Sequence, residues 1–251
     1  SIIHYFGIDF GTSNSSMAIY KNSNITLAPN RIGERSSPSL VSFSENSKDI
    51  FICEDVLDQK LEGTTLIYDI KRFVGMSYEE FKKKKFSEHL HYNVINDGGK
   101  PKIKVKHNGK EELYTAEEIS SFIIQKIVYN AKELVKTSIT KAVIAVPVHF
   151  SENQVNAICE SAKAAGIEIT RVIKEPTAAA LAYGMGNDLT FYNSPNNDIF
   201  SSFSSNYEVA PNPNAKFKVE ENAMIFDLGG GTFDITLSII YFSGWKWKYL
   251  I

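Results

Sequence analysis

Cysteine is almost missing from this chain: Cys53 and Cys159 are the only two, far apart and in no CxxC pair. That excludes a secreted disulfide framework, so reduced packing cysteines in a cytoplasmic setting are expected. No stretch approaches the roughly 18 consecutive apolar residues of a membrane helix, and the opening SIIHYFGIDFG has no basic n-region or long apolar core. A membrane is therefore not an expected partner. An organellar location, with a targeting peptide removed ahead of Ser1, stays open. Positive charge is not in excess either, with 27 Lys and Arg against 29 Asp and Glu. The one basic run, Lys82 to Lys85, sits among Glu79, Glu80 and Glu88 and reads as a solvated helix face, so nucleic acid is not expected. The five histidines show no metal-ligand spacing beyond the weak pair His89-x-His91. Missing too are GxxxxGK[ST] and any GxGxxG that closes a strand and opens a helix.

What is present alternates between two periods. Residues 4–10, 15–21 and 25–29 read as short strands, and SLVSFS follows the Pro38 break. TTLIYDIKRFVG and SYEEFKKKKFSEHL read as helical, and residues 92–114 alternate again around the hairpin signals Asp97-Gly98-Gly99 and Asn108-Gly109. Thr115 with Glu118, and Ser151 with Gln154, form capping boxes that open helices to about Lys136 and Ala165. AVIAVPV and EITRVI are strands, and Pro176 opens PTAAALAYG as a helix. The succession predicts a mixed α/β architecture. Residues 187–222 hold eight Asn, five Ser and three Pro without periodicity and read as a disordered surface insertion. Three strands follow: AMIFDLGGG, TFDITLSIIY and WKWKYLI, in which Trp245 and Trp247 read as strand packing.

Two distant segments repeat one pattern. YFGIDFGTSN at 5–14 and MIFDLGGGTFD at 224–234 each run from an apolar strand through Asp, one apolar residue and Gly to a hydroxyl residue. Gly11, Gly229, Gly230 and Gly231 lack a Cβ, so backbone N–H groups there can crowd against phosphate oxygens. Thr12, Ser13 and Thr232 add hydroxyl donors, and Asn14 completes the first tip. Asp9 and Asp227 stand at strand ends, where a carboxylate can hold the water shell of Mg²⁺. Either segment alone is an ordinary glycine-rich turn. As a pair in matching order they predict phosphates clamped between two strand-to-strand hairpins.

GIDFGTSNS, YDIKRFVG, VIAVPVHFSENQ, RVIKEPTAAALAYG and IFDLGGGTFDIT, in this order and spacing, resemble the ATPase domain of the 70-kDa heat-shock (DnaK-type) chaperones. The resemblance spans nearly the whole chain outside 187–222. Actins and sugar kinases share the two-hairpin idea, but KRFVG with EPTAAALAYG points to chaperones. It implies an actin/hexokinase-like (ribonuclease H-like) α/β fold, with mixed sheets flanked by helices and an incomplete second lobe. Residues 1–186 would form the first lobe, with an inserted subdomain at about 39–114, and residues 223–251 the opening strands of the second. ATP or ADP and Mg²⁺ are the implied cofactors, with K⁺ beside them.

By the same resemblance, Lys71 orients the attacking water and stabilises charge on the γ-phosphate, and Glu175 is the hinge carboxylate near that water. Asp9 and Asp227 hold the Mg²⁺ waters, Thr12 and Thr232 flank the γ-phosphate, and Asp234 lies beside the monovalent cation. Pro147 matches a proline that relays nucleotide state, and Arg171 a basic residue on the face used by J-domain partners. Plainer readings stay open: an exposed helix lysine for Lys71, a helix-start charge for Glu175, a strand end for Pro147 and a surface charge for Arg171. Implied partners are J-domain co-chaperones, nucleotide-exchange factors and, through a domain beyond this chain, unfolded polypeptide.

Two positions depart from the family pattern: Val155 replaces a basic residue, and Lys174 a neutral polar one. Both touch coupling and leave the chemistry intact. The alternative reading is therefore an atypical relative, weakly catalytic or non-catalytic, acting as scaffold or co-chaperone. An actin-like filament protein or a small-molecule kinase is a third reading, and the kinase lacks a substrate-base carboxylate. With no adenine-binding segment in the sequence, the 251 residues alone are expected to turn over little ATP.

Overall fold

The computed structural model describes residues 5–21, 24–60, 62–182, 219–229, 233–243 and 246–250. The insertion read at 187–222 lies outside the described residues up to 218, and its last four residues belong to a strand. By its contacts the chain divides into two compact units, one on Ser1–Ile173 with Gly229–Gly231 and one on Lys174–Leu228 and Thr232–Ile251.

The first unit is built on a six-stranded sheet. β1 (Tyr5–Phe10), β2 (Asn14–Lys21), β3 (Asn24–Leu27) and the two-residue β4 (Ser37–Pro38) open the chain. β5 (Val41–Ser44), β6 (Ile50–Ile52) and β7 (Thr64–Ile67) then form a small antiparallel sheet in the order β6-β5-β7. After α1 (Tyr78–Lys82), β8 (Asn93–Asp97), β9 (Lys100–His107) and β10 (Lys110–Thr115) make a three-stranded meander. α2 (Ala116–Val135), β11 (Lys141–Val146), α3 (Glu152–Ala164) and β12 (Glu168–Lys174) complete the unit.

The main sheet runs β12-β11-β1-β2-β3, with β4 paired to β2. β1 is antiparallel to β2 and parallel to β11, placing Asp9 level with Ala145. β12 runs with β11: Glu168 N donates to Thr140 O and Thr170 Oγ1 to Ala142 O, contacts that advance together along both strands. Carboxyl ends of parallel strands in an α/β sheet are where ligands collect, and β1, β11 and β12 share that direction.

Period two on the strands and period 3.6 on the helix build the core. Ile8, Phe10, Met17 and Ile19 are buried on alternate positions of β1 and β2, and Ile119, Ile123, Ile124 and Ile127 on the inner face of α2. Both expected capping boxes are formed, Thr115 with Glu118 and Ser151 with Gln154. A third, Ser77 with Glu80, opens α1.

One helical reading fails and a second is interrupted. Thr64–Ile67 is a strand because β5 offers it an open edge, pairing Val41 with Ile67 and Phe43 with Thr65. The next residues give only a single 3-10 turn, Ile70–Arg72. SYEEFKKKKFSEHL stops as an α-helix at Lys82, within the four-lysine run, and resumes as a 3-10 turn at Lys85–His89.

In the second unit α4 (Glu175–Ala182) packs on β13 (Val219–Leu228). β13, β14 (Phe233–Ser243) and β15 (Lys246–Leu250) form an antiparallel meander. β13 begins at Val219, four residues before the strand start expected from sequence. No described helix is long and apolar enough to cross a membrane.

Candidate functional site

The two glycine hairpins share one register. In the first, Phe10 pairs with Ser15 and Asp9 with Ser16, so residues 11–14 form the tip. In the second, Leu228 pairs with Phe233 and Asp227 with Asp234, so residues 229–232 intervene. Each aspartate sits one residue inside the closing pair of a four-residue tip. The register therefore matches Asp9 with Asp227, Gly11 with Gly229 and Ser16 with Asp234. It also matches Thr232 with Asn14, two places along from Thr12, the residue with which its hydroxyl had been grouped. Asp227 and Gly229 are exposed. Gly230, Gly231 and Thr232 lie outside the described residues, as does the side chain of Asp234.

The first tip is described throughout. Asp9 is exposed between the buried Ile8 and Phe10. Gly11 is sterically required, because a Cβ there would come 2.0 Å from Asn14 O. Its own amide is engaged inward, donating to Ser15 Oγ at 3.2 Å, and its carbonyl accepts from Ser39 Oγ at 2.9 Å. Gly11 thus shapes the turn, while the amides of Thr12 and Ser13 take part in no hydrogen bond among the described residues. Amides left over in a tight turn are the donors an anion nest offers. Pro38, opposite Asn14 in β4, brings Ser39 beneath the tip.

Lys71 is 7% exposed, in the 3-10 turn that packs on α2. Its turn is fixed on both sides. Asp69 takes a left-handed φ of 57°, which aspartate tolerates, and its Oδ2 is 3.0 Å from Arg72 Nε. Tyr68 Oη accepts from His91 N at 3.0 Å and lies 2.7 Å from His91 Nδ1, while Tyr92 Oη donates to Tyr68 O at 2.6 Å. Burial pushes the Tyr92 phenol well up, so it stays a neutral donor. Beyond the turn, Gly75 N donates to Glu117 Oε1 at 3.0 Å. A Cβ on Gly75 would meet Asn153 O at 2.7 Å, so α3 passes close by. His91 is thus tied to Tyr68, and no cluster of three His, Cys, Asp or Glu able to hold a metal occurs among the described residues.

Pro147 is buried directly after β11, and Arg171 is half-buried on β12. Val155, half-buried, packs its side chain against the core. Lys174 ends β12, and Glu175, in the second unit, opens α4 with Pro176 behind it. Ser15 and Tyr68 lie inside the quoted family motifs without a role read for them, and Ser39 and Tyr92 lie outside them. Hydroxyl contacts across some two dozen residues leave no local pattern.

Comparison with known proteins points to one family. The Hsp70 protein family model matches residues 5–248. A heat shock protein of Pyricularia oryzae is 32% identical over 232 residues, covering 92% of this chain and 33% of that protein. Heat shock 70 kDa protein 2 of Paracoccidioides lutzii is 32% identical over 235 residues, covering 93% of the chain and 31% of its own length. The heat shock 70 kDa protein of Neurospora crassa is 31% identical over 235 residues, with 93% and 32% covered. The chain thus spans about a third of the length of these relatives.

Proposed function

The chain belongs to the Hsp70 family, and from that premise we propose that it is the leading part of an ATP-binding, ATP-hydrolysing chaperone module with an actin/hexokinase-like fold. The observation that carries the reading is the common register of the hairpins, with an aspartate one residue inside each closing pair. A chance pair of glycine turns would have no reason to repeat strand order, tip length and carboxylate place together.

The residues fit a magnesium nucleotide: the Gly11 cradle leaves no room for a Cβ, amides at Thr12 and Ser13 remain over, and Asp9 is exposed beside them. Where Mg²⁺ binds, Asp9 and Asp227 are the residues that would hold it, and it would supply charge neutralisation on the phosphates. Thr12, Ser13 and Asn14, with Gly229, Gly230, Gly231 and Thr232, are the proposed phosphate-binding residues, and Asp234 would hold K⁺. Lys71 orients the attacking water and faces the charge that grows in the transition state. Its anchored turn is the support such a role needs, since a small displacement costs rate steeply. Glu175 holds the water's second side. Hydrolysis in the whole protein then controls grip on unfolded polypeptide, with J-domain and exchange-factor partners, in the cytoplasm.

Val155 favours a second reading, a scaffold-like relative with weak catalysis, because its apolar packing removes a coupling charge. Single-turnover hydrolysis of Mg-ATP by the full-length protein, with and without a J-domain partner, separates the two. Slow hydrolysis accelerated by the partner supports the ATPase, and no phosphate release in either arm supports the scaffold.

A further inference from the structure

Two serines with no assigned role lie beneath the first tip. Ser15 and Ser39 are each 1% exposed, and their Oγ atoms are 2.9 Å apart. Ser39 Oγ donates its single proton to Gly11 O, at 2.9 Å. The proton between the hydroxyls must then come from Ser15, whose lone pair in turn accepts from Gly11 N at 3.2 Å. The result is a closed ring: Gly11 N–H to Ser15, Ser15 to Ser39, Ser39 to Gly11 C=O. A further bond, Ser39 N to Ser13 O at 2.7 Å, ties the far side of the tip to the same residue.

We infer that Ser15 and Ser39 are positioning residues for the phosphate loop. They take up both polar groups of Gly11, hold the carbonyl of Ser13, and so leave the amides of Thr12 and Ser13 for an anionic ligand. The inference rests on the phosphate reading of this hairpin. Its physical basis is separate: buried rings of hydrogen bonds polarise one another and act as a unit, and removing one member leaves a buried partner unsatisfied. A loop held in this way needs no reorganisation when phosphate arrives.

The test uses full-length protein carrying Ser15→Ala, Ser39→Ala, both together, and Ser42→Ala as control. Ser42 is a fully buried serine whose hydroxyl has no hydrogen-bond partner among the described residues. Each ring variant is expected to lower single-turnover kcat about 10- to 100-fold, with KM for ATP changed only a few-fold. The double variant is expected to be no slower than the worse single one, because the ring fails once. Ser42→Ala keeps wild-type kcat. Independently of any ATPase activity, hydrogen exchange at the Gly11 amide is expected to accelerate at least about tenfold in Ser15→Ala. If the unsubstituted protein hydrolyses no ATP, the functional reading falls and the Gly11 exchange alone decides on the ring. Unchanged exchange, unchanged kcat in both single variants, or losses that add would each overturn the inference. Should Ser15→Ala fail to fold, Ser39→Ala carries the kinetic test.

Discussion

Lys126 on α2 holds its ammonium 3.5 Å from Oε1 of the wholly buried Glu54 and 2.6 Å from Oδ2 of Asp55. The same Oε1 accepts from Asn130 Nδ2 at 3.2 Å and from Arg31 N at 3.4 Å, while Oε2 has no hydrogen-bond partner among the described residues. Burial works to lower the Lys126 pKa, yet the two carboxylates outweigh it and hold the value above the ordinary lysine range. The cluster fastens α2 to the 3-10 turn Cys53–Asp58 and to the loop at Arg31, which also pairs with Asp55 and Asp58.

Breaking such a pair costs more than replacing it. Lys126→Met strands a buried carboxylate and is expected to destabilise the protein by about 3 kcal/mol. Glu54→Gln keeps the hydrogen bonds and removes the charge, and is expected to cost under about 1 kcal/mol. Urea unfolding of both variants checks the order. A larger loss for Glu54→Gln would contradict it.

Gly11→Ala is expected to weaken phosphate binding severely and to lower the global stability by about 1–3 kcal/mol, because opening the tip strands the buried hydroxyls of Ser15 and Ser39. The new methyl cannot sit 2.0 Å from Asn14 O, so the tip must open. Affinity for Mg-ATP in the full-length protein should fall at least about 100-fold, given the cost of misplaced donors. Calorimetry reads the affinity and thermal unfolding the stability; near-normal binding would show that the tip is more tolerant than its geometry implies.

Glu112 predicts part of the acid response. Its carboxylate accepts from Tyr114 Oη at 2.6 Å and lies 3.1 Å from His107 Nδ1, contacts that lower its pKa, Tyr114 first. A depressed folded pKa gives stability that is fully present above the unfolded carboxylate value, about 4.3, and is lost as pH falls through the lower folded value. Glu112→Gln should therefore flatten the stability curve below about pH 5 and leave its slope near pH 7 unchanged. An unaltered acid limb in the variant would mean that the bonds do not favour the ionised form.

Local chemistry was legible in the sequence, and distant pairing was not. The boxes at Thr115 and Ser151 and the turns at Gly98-Gly99 and Asn108-Gly109 depend on neighbours within a few residues, and each stands where its pattern places it. Thr64–Ile67 was misread because Leu66, Ile67 and Ile70 happen to follow a helical period, while the open edge of β5 decides the matter. At Gly11 the sequence suggests an amide for phosphate, whereas the fold turns that amide toward Ser15. Asp9 and Asp227 stand out in the sequence because the motif repeats, and their common register adds equal distance from the hairpin ends.

The most direct test of the account is Lys71→Ala in the full-length protein, with single-turnover ATP hydrolysis and equilibrium ATP binding measured side by side. Lys71 lies buried in an anchored turn, and its proposed work is in the transition state alone. The account predicts a fall in the hydrolysis rate of at least about 100-fold, with affinity changed only a few-fold. Hydrolysis at near wild-type rate, or a loss confined to binding, would contradict it.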